Sequence, residues 1–337
     1  MPKTISTRRA ALGAALAAAA LAFAPADTSA QNVLRVGTVV TAPHPIITLM
    51  DDFKKTVDGG TGGAIVVQLY PNSQLGGERE MAEAMKIGSL EGSLNTLTVF
   101  STWVPNASLF DLPFIFRDDP HSFAVYSGPV GQKLADEFPA HGFRVLGFFL
   151  AGVRNVFATY PVLKPEDVKG HKMRTIQSPL HLKIWSSVGA NPTPIPHPEV
   201  YNALQTKIVE IADNTATNYV NEKWYEVAPH YSTTGHVYAI GGLFLSERWY
   251  QRQKPEHRKV LADATLAMQR GLHKAIIDSD AASLDKAAAA GAKIHRIEDK
   301  TAWATPMRPI WEEWVGTDAQ RRELIQAITA TRSAALQ

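Results

Sequence analysis

Residues Val33–Gly88 read VLRVGTVVTAPHPIITLMDDFKKTVDGGTGGAIVVQLYPNSQLGGEREMAEAMKIG, and the order of element types in this stretch decides the fold class. Val33 to Val40 is a β-branched run that predicts a strand. After His44-Pro45, apolar Ile46, Leu49, Met50, Phe53 and Val57 recur at helical spacing. Gly59-Gly60-Thr61-Gly62-Gly63 breaks that helix, and Ala64 to Tyr70 predicts a second strand. Pro71 to Gly77 is then a loop ahead of a helix over Glu78–Ile87, with acidic residues in its first turn and Gly88 as its stop. A β-α-β-α order predicts parallel strands with helices on the faces, and in such sheets ligands sit beyond the carboxyl ends of the strands. Neither glycine cluster fits G-x-G-x-x-G or a P-loop with its Lys, so both are turns.

Upstream, Met1 to Arg9 is short and basic, Ala10 to Ala24 is apolar with one glycine, and Thr28-Ser29-Ala30 offers small residues for cleavage. This pattern predicts an export signal over residues 1–30, too short in its apolar run to remain as a membrane anchor. Arg8-Arg9 hints at twin-arginine export, although Ala11 stands where a bulky apolar residue is usual. With no cysteine, a lipid-modified cysteine, a disulfide framework and a thiolate metal site are all excluded. The mature chain of about 307 residues is 45% hydrophobic over the full sequence and large enough for two domains. The formal charge of +2 falls to near neutral once the leader is gone. No basic field is left to attract nucleic acid, so anion chemistry must come from a few placed residues.

Downstream, strands are expected over Gly92–Val99 and Phe143–Leu150, the latter leading into AGVRNVFATYPVLKPEDVKGHKMRTIQS, residues 151–178. Here Arg154 and Arg174 each stand where a β-prone run hands over to a loop, with Pro161, Pro165 and Gly170 turning the chain back between them. Two guanidiniums thus arrive near one place, and their planar forks of donors suit the carboxylate of a small organic acid. The alternative is that both pair with surface Asp or Glu. Further on, Leu180–Val188 is expected to be helical, Pro192–Pro198 is too proline-dense for regular structure, Glu199–Leu204 is a short helix, and Ile208–Ile211 is a strand ending at Asp213-Asn214.

Asn72-Ser73-Gln74-Leu75-Gly76-Gly77-Glu78, Asp111-Leu112-Pro113-Phe114, Gly152-Val153-Arg154, Pro165 to Arg174, Glu199 to Thr206 and Thr234-Gly235-His236 occur in that order. The series resembles the extracytoplasmic solute receptors of tripartite ATP-independent periplasmic (TRAP) transporters over most of the mature chain. The resemblance implies an α/β, two-lobed periplasmic binding protein with a mixed β-sheet in each lobe and a long helix bridging both. It implies closure over an organic acid and delivery of that acid to a TRAP membrane permease, with no cofactor. It further implies that Arg174 makes the two-pronged bond to the ligand carboxylate, that Arg154 supports it, and that Asn214 donates to the same group. Two positions depart from the family pattern. Glu210-Ile211 replaces a usual Asp-Gly, and His197 stands where an aromatic often packs on the ligand. His197, kept neutral by nearby positive charge, can hydrogen-bond a hydroxyl, keto or second carboxylate group; the alternative is a solvated loop histidine. His44 is a similar candidate from the first lobe, or a helix cap, and Gln74 and Asn95 complete that lobe's side of the cleft. Tyr219 and Trp224 are possible wall residues, though aromatics at that spacing are more often core.

From Gly241 the chain reads as helical, with an uninterrupted stretch from Pro255 to Ala290 roughly 50 Å long, longer than one domain is wide. It therefore bridges a first lobe of residues 31–151 plus 240–280 and a second of 152–239 plus 281–337. Trp303, Trp311 and Trp314 are expected to pin the C-terminal helices onto the second lobe. The chain contains no G-x-S-x-G, no H-E-x-x-H and no Cys nucleophile, which argues against an enzyme. An acid/base or metal site assembled from the cleft His and Glu residues has no supporting spacing. A receptor that presents its ligand to a sensor kinase needs the same features as a transport receptor, so the sequence leaves both open.

Overall fold

The computed structural model describes residues 32–333. The expected leader and its cleavage site lie outside them. The chain opens with β1 (Asn32–Thr38), α1 (Pro45–Gly60), β2 (Ile65–Tyr70), α2 (Glu78–Ile87) and β3 (Gly92–Thr96), the alternation that the first stretch predicts. Short helices α3 (Asp119–Tyr126) and α4 (Pro129–Ala135) then lead to the long strand β4 (Phe143–Ala158). The second half begins with β5 (Lys172–Thr175), α5 (Pro179–Ser187), β6 (Asn191–Pro194), α6 (Val200–Gln205), β7 (Ile211–Asn214) and α7 (Ala216–Asn221). A second long strand, β8 (His230–Ser246), is followed by α8 (Glu247–Gln251), the 35-residue α9 (Pro255–Ala289) and β9 (Lys293–His295). Helices α10 (Thr301–Met307), α11 (Pro309–Val315) and α12 (Ala319–Ala330) complete the described chain.

The strands pair in the order β2-β1-β3-β8-β4-β7-β5-β6, with β9 beside β8. Parallel pairs (β1 with β3, β5 with β6 and β7) lie on both sides of an antiparallel centre formed by β4 and β8. The sheet is mixed in both halves, and β4 and β8 run through both. Their pairing breaks register between Leu150 and Gly152 of β4, opposite Ile240 and Ala239 of β8. A bulge here bends the ribbon where it passes from one half to the other. Gly152 has φ 131°, and a Cβ would stand 2.6 Å from Thr215 Cγ2 and 2.8 Å from Asp280 Oδ2, so the close approach requires glycine.

Helix α9 contributes Leu261, Ala264, Met268, Leu272 and Ile276 to the larger hydrophobic core and Ala287 to a second core formed by Phe157, Val200, Tyr219, Trp224 and their neighbours. It thus bridges the two halves, as its length implies. Asp280 fastens it to the bulge region by accepting from Thr217 N (2.9 Å), Thr217 Oγ1 (2.6 Å) and Val153 N (3.2 Å).

Three local expectations are corrected. Gly241 to Ser246 is strand, not helix, because a buried central strand is a continuous apolar run with no alternation to mark it. Asn191–Pro194 is a strand despite Pro192 and Pro194; it sits at the sheet's edge, where a missing N–H costs no ladder bond. Of the three tryptophans, Trp303 reaches the second segment through Leu163 O, but Trp311 donates to Pro113 O at 2.9 Å and Trp314 to Ser108 Oγ at 2.8 Å, both in the first.

Candidate ligand-binding site

Arg154 lies on β4 just past the bulge, where Asn155 pairs with Asn214 at the exit of β7. Its guanidinium donates from Nε to Asp213 Oδ2 at 2.6 Å and from Nη2 to the Asp213 carbonyl at 2.7 Å. The same carboxylate oxygen stands 3.3 Å from His236 Nε2, and His236 Nδ1 is 2.8 Å from Thr234 Oγ1. Burial opposes ionisation of Asp213, but Arg154 and His236 outweigh it and hold the carboxyl well below the usual range. Burial likewise works against the Arg154 charge, and Asp213 overcomes it. Arg154 is therefore a compensated buried cation.

Arg174 is its opposite. It leaves β5 with 3% of its surface exposed and donates from Nε to the Ile195 carbonyl at 2.9 Å. Among the described residues its two terminal nitrogens have no hydrogen-bond partner, and no carboxylate lies within 4.0 Å. Burial, followed by the repulsion of Arg154, lowers its pKa to about 10, which still leaves it charged at neutral pH. A buried guanidinium with its fork free is a site for an anion.

That fork borders a cavity of about 50 Å³. The cavity brings together six of the expected residues: Arg174, Arg154, Asn214, His197, His44 and Asn95. Asn214 Oδ1 accepts from Thr215 N at 2.8 Å and Asn218 Nδ2 at 3.1 Å, so its own NH2 is left to donate into the cavity. Asn95 uses its NH2 on the Glu78 carbonyl at 2.8 Å, which fixes the start of α2 against β3. His197 is 8% exposed, packs at 5.2 Å from the Trp224 ring, and places Nε2 3.7 Å from Glu222 Oε1.

His44 is the N-cap of α1: its Nδ1 accepts from Ile46 N at 3.2 Å. Burial, and then the neighbouring His197, lowers its pKa to about 4. The ring is consequently neutral with its proton on Nε2, a fixed donor on the cavity wall. On unfolding His44 regains an ordinary pKa near 6.5, so its contribution to stability is full above that pH and is lost as pH falls toward 4, a change of about 3 kcal/mol. His44→Asn keeps a capping acceptor but removes the titration. Its unfolding free energy in urea should fall about 3 kcal/mol less than wild type between pH 7 and pH 4, and equal slopes would show the ring to be solvated.

Three expected residues lie elsewhere. Gln74 is exposed in a turn where Asn72 and Ser73 take positive φ, and it does not border the cavity. Trp224 is buried and stacked on Phe157 at 5.2 Å, and Tyr219 is buried with its hydroxyl donating to Ala228 O at 2.7 Å. Both are core. Glu78, legible in the sequence only as part of an acid/base alternative, lines the cavity together with Asn218, Phe149 and Ile276, which the sequence does not single out. Glu78, the first residue of α2, accepts from Thr96 N at 2.6 Å through Oε1. Its only sequence signal is Gly76-Gly77-Glu78, a helix start at the carboxyl end of a strand.

A mixed α/β sheet bent at two shared strands, a long helix bridging its halves and a buried anion site between them define a solute-binding receptor. Residues 36–317 match the model of the bacterial extracellular solute-binding proteins, family 7 (DctP), and the chain belongs to that family, the receptors of TRAP transporters. The chain is 31% identical over 280 residues to a solute-binding protein of Verminephrobacter eiseniae, covering 83% of this chain and 82% of that one. It is similar to a TRAP periplasmic solute-binding protein of Xanthobacter autotrophicus solved with bound β-D-galacturonate (TM-score 0.85, 30% identity, 89% of this chain and 100% of that one). A receptor of Sulfurospirillum deleyianum solved with bound succinate is also similar (TM-score 0.84, 32% identity, 90% and 100% covered). No helix among the described residues is long and apolar enough to cross a membrane.

Proposed function

We propose that this protein is a periplasmic receptor that captures a small organic acid between two lobes and delivers it to a TRAP-type permease, without catalysing a reaction. The free, buried fork of Arg174 on the cavity wall carries this reading. In it, Arg174 takes the ligand carboxylate in two parallel hydrogen bonds, the Asn214 amide donates to the same group, and Arg154 keeps the local potential positive while Asp213 holds it in place. The lobes divide at the β4 bulge, residues 31–151 with 240–280 against 152–239 with the chain from 281. The contacts of Trp311 and Trp314 from α11, and of Ile328 O with His121 Nε2 at 2.9 Å from α12, favour moving both helices to the first lobe, with Glu313 of α11 also reaching Lys183 of the second. The first 30 residues act as the export signal.

The far wall favours hydroxyl groups. Glu78 offers a carboxylate acceptor and His44 a neutral donor, a pair that suits hydroxyls on the ligand's remaining carbons. Sugar acids such as the galacturonate held by the Xanthobacter relative fit this arrangement, as does a shorter hydroxy acid. The test is a thermal-unfolding screen of the mature protein, refolded to strip any carried ligand, against sugar acids, dicarboxylates, keto acids and monocarboxylates. An acid at a hundred times its dissociation constant adds about 2.7 kcal/mol of stability, a rise of roughly 5 °C or more. A shift with an acid class names the substrate; no shift with any acid refutes the reading.

A further inference from the structure

Outside the cavity, two hydrogen bonds tie the loop after β1 to the end of α7 across the cleft. Thr41 Oγ1 donates to Glu222 Oε1 at 2.8 Å, and Asn221 Nδ2 donates to the Pro43 carbonyl at 3.1 Å. The partners are 181 and 178 residues apart in sequence and belong to opposite lobes of the proposed receptor. Glu222 sits on a stiff support. Lys223, which follows it, turns the chain with φ 55° into Trp224, and that ring is stacked on Phe157 in the second core. Burial works against the Glu222 charge, but His197, Thr41 and His44 together keep its carboxyl below the usual range. The loop it grips also carries His44, which caps α1 and lines the cavity.

We infer that Glu222 is a closure latch, holding the Thr41–His44 loop against the second lobe so that bound ligand leaves slowly, although Glu222 and Thr41 do not line the cavity. The inference rests on the two-lobed receptor reading. When the cleft opens, both groups return to water, so their hydrogen bond favours the closed state alone. A ligand that binds the closed state better shifts the population toward it, and any contact specific to that state lengthens the ligand's stay. Association is different, because the ligand meets the open cleft, where the latch is not formed. A latch therefore acts on the dissociation rate and spares the association rate.

The experiment compares wild type with Glu222→Ala and Thr41→Val by stopped-flow fluorescence. The probe is whichever of D-galacturonate, D-erythronate and succinate raises the wild-type unfolding temperature most. Loss of a hydrogen bond to a charged group should speed dissociation about tenfold and leave association within about twofold. Unfolding of the ligand-free variants should match wild type, and Thr41→Ser should restore slow release. Thr41→Val, on a half-buried loop, keeps the test open if Glu222→Ala folds poorly. Unchanged dissociation in both variants, or association slowed as much as dissociation is sped, overturns the latch. A wild type that binds neither these three acids nor any other acid of the thermal-unfolding screen refutes the receptor reading itself, and the latch with it.

Discussion

Arg174→Ala is expected to lower affinity for the acid ligand by about thirtyfold to several thousandfold while leaving ligand-free unfolding within about 2 °C of wild type. The two halves of this expectation have separate causes. In the proposed complex the guanidinium faces a carboxylate inside a closed cavity, and truncating one partner of a buried charge pair costs about 2 to 5 kcal/mol. Among the described residues Arg174 makes one hydrogen bond, to the Ile195 carbonyl, and otherwise adds a buried charge that lacks a counter-ion there. Removing it gives up that bond and also removes a desolvation penalty, so the two effects offset. Calorimetric titration and thermal unfolding on the same samples check both parts. Retained binding would move the carboxylate contact elsewhere, and collapse of the ligand-free fold would make Arg174 a structural residue. Arg174→Lys is a sharper variant: the charge stays but the planar fork is gone, so an intermediate loss separates Coulomb attraction from two-pronged geometry.

Much of this site is legible in the sequence because its chemistry is carried by residues at strand exits. Arg174 and Asn214 stand at the exits of β5 and β7, and an α/β sheet delivers such positions to one edge, whereas Arg154, expected at a strand exit, lies inside β4 because that strand runs on to Ala158. What the residues alone leave open is which arginine is free. Both have the same local pattern, and the difference arises from Asp213, 59 residues from Arg154 in sequence and paired with it only in the folded sheet. His197 and His44 are legible as candidates, but the donor role of His44 depends on a cap bond to Ile46 that spacing does not show. Glu78 is legible only as part of an acid/base alternative and not as a ligand contact, because an acidic first turn is explained by the helix dipole alone. Tyr219 and Trp224 follow the general rule for aromatics and join Phe157 in a core.

The fold was legible in its alternation and in the length of α9, and least legible in its centre. Strands β4 and β8 have 16 and 17 residues, well beyond the usual strand, and are buried along most of their length. Their composition shows neither alternation nor helical period, so the sequence predicts β4 only to Leu150 and a helix at the end of β8. The irregularity that lets them pass between halves is a bulge at Gly152, whose need for glycine comes from Thr215 and Asp280, far along the chain.

Asp213→Ala should do what Arg174→Ala does not: it should cost about 3 to 5 kcal/mol of folding stability, a fall of roughly 5 to 10 °C in Tm. The substitution leaves the Arg154 guanidinium buried with only the residue-213 carbonyl as acceptor, and it strands His236, whose Nε2 faces the same carboxylate. The sign with pH follows from the depressed carboxyl. Its contribution is present above the unfolded value near pH 4 and is lost only as pH falls through its lower folded value. The gap between wild type and variant should accordingly be flat from pH 5 to 8 and narrow only in stronger acid. Two origins of the loss remain to be separated, an uncompensated charge and a cavity where the carboxyl stood. Arg154→Met in the same chain removes the charge but not the cavity, so recovery of most of the loss in the double variant assigns it to electrostatics, and no recovery assigns it to packing. If the single variant loses under about 1 kcal/mol, Arg154 has another route to compensation and the division of labour fails. If the loss is as large as expected, the two arginines have opposite roles for one physical reason. Arg154 carries its counter-ion within the fold and contributes to stability, whereas Arg174 has none among the described residues and, in the proposed reading, takes it from the ligand.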